Sequence, residues 1–505
     1  MTDLGVHCMG TLLDAFASVT DDRPTLFLAY TIKGKNTPLA GHKDNHAGLM
    51  TGAQIAQLQE ELSVAKGVEW EPFCAVRNEG AVRALIEAAP FFSRGMRGKT
   101  SAKIQVPAQI HLPDRVISTQ AAFGKFLDEI ARQGGPLADR LVTTAPDVTV
   151  STNLGGWVNR RGLFGRVSRG DAFREHNIPS TQKWAFSPQG QHIELGIAEM
   201  NLFLLLGALG LSHSLFGERL IPIGTVYDPF VVRGLDALNY ACYQDARFII
   251  AGTPSGVTLA PEGGAHQSIN TPLIGIAQDG LASFEPCWAD ELATILFWAF
   301  DYIQRDNKGA ENEKSWLREE TGGSVYLRLS TRPLEQLQQR NDEAFRKGVI
   351  DGGYWLRKPG PNADVVIAYQ GCLGPEAIEA AGRIGNDRRD VGVLAVTSSD
   401  RLNAGWSASR RARRRGQDLA GSHVDSLVDG LPPHCPIITV CDGHPLTLAW
   451  LGSVAGHRVV PLGVEHFGQT GTIPDLYGHF GINADAIVAA ADAHSAGRPI
   501  RLSRE

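Results

Sequence analysis

Glu199 stands at the head of an otherwise apolar run, Ile193-Glu194-Leu195-Gly196-Ile197-Ala198-Glu199-Met200-Asn201, continued by Leu202-Phe203-Leu204-Leu205-Leu206-Gly207-Ala208-Leu209-Gly210. The run reads as a helix apolar on every face, which belongs in a core or at a subunit interface. A carboxylate at the start of such a helix is costly unless a partner receives it. Taken alone, Glu199 reads as a first-turn acid satisfied by free amides and the helix dipole. Phe230 and Tyr227, in Thr225-Val226-Tyr227-Asp228-Pro229-Phe230-Val231-Val232-Arg233-Gly234-Leu235-Asp236, carry flat rings suited to a flat heterocycle, or are core aromatics at a strand-to-helix junction. His266 ends the Gly-rich stretch Ala260-Pro261-Glu262-Gly263-Gly264-Ala265-His266. Glycines let a backbone approach a ligand and a histidine moves protons near neutral pH, although a lone loop histidine is usually just solvated. His42 and His46 lie four apart in Gly41-His42-Lys43-Asp44-Asn45-His46, but no cysteine or third ligand is near, so a metal reading is set aside.

Two groups of arginines complete the inventory. Arg328 and Arg332 flank Leu329-Ser330-Thr331; a guanidinium suits phosphate, and a surface arginine after an edge strand is the equal alternative. The run Arg410-Arg411-Ala412-Arg413-Arg414-Arg415 could dock an acidic partner, but reads more simply as a solvated, partly disordered loop face.

These residues need elements to position them. Residues 1–50 read as a helix from Gly10 to Ser18, a strand from Thr25 to Thr31 and the Gly/His loop, and 51–115 as a polar connector with Pro72, Pro90 and Pro107. From 116 to 335 strand-like runs such as Leu220-Ile221-Pro222-Ile223, Arg247-Phe248-Ile249-Ile250-Ala251 and Val325-Tyr326-Leu327 alternate with helical patterns, which argues for a doubly wound parallel sheet. Residues 336–361 read as a linker. A second, smaller α/β unit follows over 362–505, with Val365–Tyr369, Val391–Val396, Ile437–Val440 and Val459–Leu462 as its strands.

Composition bounds the rest. The 505 residues suggest about three domains by length. A net charge of −6 gives no reason to expect nucleic acid. The start Met1-Thr2-Asp3-Leu4 lacks a signal-peptide pattern, and the apolar stretch 202–209 is too short for a bilayer. Seven cysteines without a Cys-x-x-Cys pair suit reduced, cytoplasmic thiols.

Taken in order along the chain, these segments resemble the thiamine-diphosphate enzymes of the transketolase superfamily. The match is completed by Tyr30-Thr31-Ile32-Lys33-Gly34-Lys35 before the His loop and by Gly463-Val464-Glu465-His466-Phe467-Gly468-Gln469-Thr470-Gly471 leading to Pro474-Asp475-Leu476-Tyr477. Spacing and C-terminal segment are most similar to the homodimeric pyruvate dehydrogenase decarboxylating component, with transketolase next. The resemblance implies a pyrimidine-binding domain (116–335) followed by a transketolase C-terminal-like domain (362–505). It implies that Glu199 meets the ring nitrogen of the cofactor's aminopyrimidine and promotes its imino tautomer. A buried acid does this best, because low dielectric strengthens that one hydrogen bond. Phe230, with Tyr227 in reserve, would stack on the pyrimidine. His266 would stabilise or protonate intermediates, as would His46, which would reach the diphosphate or substrate; His42 is weaker. Arg332 resembles the transketolase Ser-Arg that grips a substrate phosphate, with Thr331 inserted.

The resemblance also implies magnesium, held in the family by a Gly-Asp-Gly motif and a later Asn. The nearest string, Cys441-Asp442-Gly443-His444, lacks the first Gly and the Asn. Residues 1–50 would then be the last part of a diphosphate-binding domain, with the magnesium ligands expected from a missing domain or a partner chain. A split enzyme and a truncated gene both fit. The implied assemblies are a homodimer or a heterotetramer with a subunit carrying the diphosphate domain, served by a lipoyl acyltransferase, with no nucleic acid or membrane partner. The expected activity is 2-oxo acid (pyruvate) dehydrogenation; the alternatives are a transketolase-type ketol transfer and a non-catalytic remnant or scaffolding subunit.

Overall fold

A computed structural model of the chain describes residues 7–89, 101–107, 114–306, 317–337, 342–386, 390–417 and 421–494. The chain divides into two units, residues 1–96 and 97–505. Among the described residues no helix is long and apolar enough to cross a membrane.

The first unit contains helices Met9–Ala17, Gly52–Glu61 and Glu79–Ala88. Thr51 and Gln54 form a reciprocal capping box at the second, and Asn78 caps the third through the Ala81 amide. None of its described residues is buried. The strand expected from Thr25 to Thr31 does not form. A strand needs a neighbour for its amides and carbonyls, and no strand lies among this unit's described residues. Leu26 is consequently 84% exposed, and the Phe27 ring meets Phe16 edge-on, at 5.3 Å between ring centres.

The second unit carries an eight-stranded, wholly parallel sheet. Its strands are β1 Leu141–Ala145, β2 Leu163–Phe164, β3 Phe186–Ser187, β4 His192–Glu194, β5 Ile221–Val226, β6 Ile249–Gly252, β7 Leu281–Phe284 and β8 Ser324–Arg328. Their order is β3-β2-β4-β1-β5-β6-β8-β7. Every residue of β5 to β8 is buried, as in a sheet covered on both faces. Helices Thr119–Gln133 and Ala289–Tyr302 cover one face through Phe123, Phe126, Leu292 and Ile295. Helices Glu199–Gly210 and Leu235–Tyr243 cover the other through Leu202, Phe203, Leu206 and Leu238. This is the doubly wound arrangement expected. The run after Glu199 is buried on one side only: Met200 and Leu204 face out of the chain.

A five-stranded sheet follows: β9 Gly353–Arg357, β10 Val365–Gln370, β11 Val391–Val396, β12 Ile437–Cys441 and β13 Val459–Leu462, in the order β9-β11-β10-β12-β13 with β9 antiparallel at the edge. Two expectations are corrected here. Residues 336–361 are no plain linker, because they include helix Glu343–Asp351 and strand β9. Gly352 turns the chain in a left-handed conformation (φ 106°), and the β-favouring Tyr354 and Trp355 pair with Ala395 and Leu394. The Arg410–Arg415 run is no loop either: it is the end of helix Ser399–Arg414, capped by Ser398. Cations in a last turn complement the negative end of the helix dipole.

Candidate active site

All strands of the first sheet run the same way, so their C-terminal ends share one edge, where open α/β sheets bind ligands. Three of the sequence-derived site segments leave from it. The first follows β4. Glu194, the last residue of that strand, accepts hydrogen bonds from Thr149 Oγ1 (2.6 Å) and the Asp147 amide (2.9 Å). Burial works to raise its pKa, but His192, Thr149 and the Asp147 amide together hold the carboxyl below the usual range. This acid is thus fully engaged in structure. Glu199, five residues on, opens its helix and is 13% exposed. Its partner is a cation rather than the helix amides: Arg233 Nη1 donates to Oε1 at 2.5 Å.

The second segment follows β5. Tyr227 precedes a 3-10 turn, Asp228–Gly234, that carries Phe230 and Arg233. Residues three apart eclipse in such a turn, which puts the Arg233 guanidinium 3.8 Å above the centre of the Phe230 ring. The Tyr227 and Phe230 rings lie 6.1 Å apart and nearly parallel.

The third follows β6. His266 ends a short turn, Gly264–His266, with its ring 5.6 Å from Phe230 and 6.0 Å from Tyr227. The glycine before it serves packing: a Cβ on Gly264 would lie 2.4 Å from the Gly468 carbonyl oxygen. The loop is therefore pressed against the C-terminal segment, and Gln267 donates to the Gln469 carbonyl at 2.9 Å. Just upstream, Ala260 adopts φ 63°, a strained value for a residue with a Cβ. Pro229, Gly264, Gln267, Asn270 and Phe467 line an open cleft of about 650 Å³ beside these rings, with Phe467 87% exposed.

Glu199, Tyr227, Phe230 and His266 are thus brought together. His46 and His42 lie in the other unit, both exposed: the Lys33 ammonium is 2.6 Å from His46 Nδ1, and His42 Nδ1 accepts from the Asp44 amide. Arg332 is occupied by Glu376, whose two carboxylate oxygens lie 2.8 and 2.9 Å from its guanidinium nitrogens, and it also donates to the Cys372 carbonyl. Arg328, read as a possible phosphate ligand, is sealed away from solvent among Asp228, Glu285 and Ser268.

Sequence reasoning passed over Arg233 and the buried carboxylates around Arg328. The signal for Arg233 was its spacing, one 3-10 turn beyond Phe230. Asp228 and Glu285 left no such signal, since they meet Arg328 only through the folded sheet edge, where the Asp442 backbone carbonyl joins them.

The acid and the three rings fit a flat nitrogen heterocycle, since a planar N–H donor, the Arg233 guanidinium, already contacts both Phe230 and Glu199. Among the described residues no three His, Cys, Asp or Glu side chains gather around a common point.

The family model for the pyruvate dehydrogenase E1 component middle domain matches residues 108–314. The plasmid transketolase of Cupriavidus necator is 25% identical over 94% of this chain and 64% of its own length. The pyruvate dehydrogenase E1 component of Corynebacterium glutamicum is 25% identical over 93% of this chain and 52% of its own. The crystal structure of transketolase from Campylobacter jejuni superposes with a TM-score of 0.59 at 14% identity, covering 90% of this chain and 61% of that one. A chain of a split-gene transketolase, an inactive beta4 tetramer, superposes with a TM-score of 0.50 at 18% identity and is covered over 98% of its length. This chain is thereby supported as a member of the thiamine-diphosphate-dependent superfamily that contains transketolase and the pyruvate dehydrogenase E1 component. It spans between about half and two thirds of the length of the curated relatives named above.

Proposed function

We propose that this chain supplies the pyrimidine half of a thiamine-diphosphate site and acts on a 2-oxo acid such as pyruvate, in the manner of a pyruvate dehydrogenase E1 component. The observation that carries the reading is the convergence of Glu199, Phe230, Tyr227 and His266 at the C-terminal ends of β4, β5 and β6. Glu199 would hold the ring nitrogen of the aminopyrimidine, and Phe230 and Tyr227 its flat face. His266 would move a proton at the reacting carbon. When bound, the cofactor supplies the carbon nucleophile and the electron sink. The diphosphate and magnesium would be held by residues other than those described. The solved split-gene chain favours a second polypeptide as their source. Met200 and Leu204, exposed along the Glu199 helix, offer an apolar strip for a twin subunit. An acyl product would pass to a lipoyl group on a partner.

Ketol transfer of the transketolase type is the second reading, favoured by the transketolase relatives. Against it, Arg332 is held by Glu376 and is less available for a sugar phosphate. The test is calorimetric titration of thiamine diphosphate with magnesium into the full chain, alone and with the product of any adjacent reading frame. Turnover of pyruvate with an artificial acceptor is then compared with turnover of a ketose phosphate with an aldose. Binding that survives in Glu199→Gln while turnover is lost supports the reading; unchanged turnover removes Glu199 from its role. Absence of binding in every combination points to a non-catalytic subunit.

A further inference from the structure

Arg233 makes two contacts at once. Its guanidinium carbon sits 3.8 Å from the centre of the Phe230 ring, and its Nη1 donates to Glu199 Oε1 at 2.5 Å. A stacking face and a donor to Glu199 are also what the proposed cofactor pyrimidine requires. One planar N–H-bearing group therefore stands where another would have to bind, and the two cannot hold the same carboxylate oxygen and the same ring face together. Resting on the pyrimidine-site reading above, we infer that Arg233 is a built-in surrogate for the aminopyrimidine, one that the cofactor must displace to reach Glu199 and the face of Phe230.

Three features make the exchange physically reasonable. The Arg233 side chain is 51% exposed, so it can swing out without opening the core. It belongs to a short 3-10 turn rather than to a long helix, so local adjustment is cheap. A guanidinium is planar and presents N–H donors at its edge, so it competes for the same slot as a flat heterocycle. While in place, it gives the Glu199 carboxylate a partner that the apolar helix cannot offer. A ligand must then replace a cation–π contact and a charge-assisted hydrogen bond before it gains its own.

The test uses the full chain and the cofactor's pyrimidine fragment, 4-amino-5-hydroxymethyl-2-methylpyrimidine, which needs no diphosphate site. Its affinity is measured by ligand-observed NMR for the wild type, Arg233→Ala and Arg233→Lys, with thermal unfolding as the check on folding. Removing the competitor should tighten fragment binding by roughly three- to tenfold in Arg233→Ala, with a smaller gain in Arg233→Lys, which keeps the charge but not the flat stacking surface. Equal or weaker binding by Arg233→Ala, with the wild type still binding, overturns the surrogate and leaves the pyrimidine site standing. Failure of all three proteins to bind overturns the inference together with the site assignment.

Discussion

Arg328 and Asp228 pair out of reach of water: Nε lies 2.9 Å from Oδ2, and the two side chains are 1% and 0% exposed. Around them, Arg328 Nη1 is 2.6 Å from Glu285, and Nη2 donates to Ser268 Oγ and the Asp442 carbonyl, each at 3.1 Å. Asp228 also receives hydrogen bonds from Thr271, Ser268 and Tyr326. Burial works against the Arg328 charge, but Glu285 and Asp228 more than offset it and hold the guanidinium protonated. Breaking one side of such a pair leaves a buried charge uncompensated. Asp228→Asn should therefore cost about 3–5 kcal/mol in urea unfolding. A loss below about 1 kcal/mol would mean that Glu285 alone satisfies the arginine.

Phe230 and His266 should separate binding from turnover. Phe230→Leu should weaken thiamine-diphosphate affinity about three- to tenfold through lost stacking. His266→Ala should leave calorimetric affinity near the wild-type value while kcat falls about 10²- to 10⁴-fold. Equal losses in both parameters for His266→Ala would make that histidine a structural residue.

Glu291 should give stability a pH dependence. Its carboxylate accepts from the Cys287 and Trp288 amides and from the Tyr354 hydroxyl. Burial first, then the neighbouring Asp290, push it up to about 7 from an ordinary 4.5. Between those values the folded state keeps a proton that the unfolded state has released, so the contribution is full below the ordinary value and is lost as pH rises towards 7. The urea midpoint should fall between about pH 5 and pH 8, and Glu291→Gln should flatten that fall.

Gly234, at the end of the turn bearing Phe230 and Arg233, has no room for a side chain. A Cβ there would sit 2.0 Å from Phe203 Cδ2 in the helix that Glu199 opens. Gly234→Ala should destabilise by about 1–3 kcal/mol and weaken pyrimidine-fragment binding, because the turn and helix must move apart. Thermal unfolding and ligand-observed NMR on the same variant check both effects.

The buried strands were legible because parallel strands covered on both faces read as apolar runs; Val391–Val396 falls on the residues expected, as does the partly exposed edge strand Val459–Leu462. The two-residue strands β2 and β3 were not, since so short a segment carries no periodicity. Thr25–Thr31 misled for the opposite reason: it has strand-forming residues but no strand beside it among its unit's described residues. At the site, the acid and the rings stood out by type and order. Arg233 looked like any solvent cation, and Asp228 and Arg328, a hundred residues apart, meet only in the folded sheet edge.

The buried cluster around Arg328 bears on where this polypeptide could be cut. Asp442, beyond β12, accepts hydrogen bonds from the Val257 and Thr258 amides next to the His266 loop, and Gln370, on β10, donates to Glu285. A fragment ending near residue 361 would strip acceptors from two buried amides and a hydrogen-bond donor from a buried carboxylate. The core of the second sheet takes in Val257, Cys287 and Trp288 from the first, so the seam between them is a poor boundary for expression: the half that carries the candidate site would lose the groups that anchor the loop leading to His266.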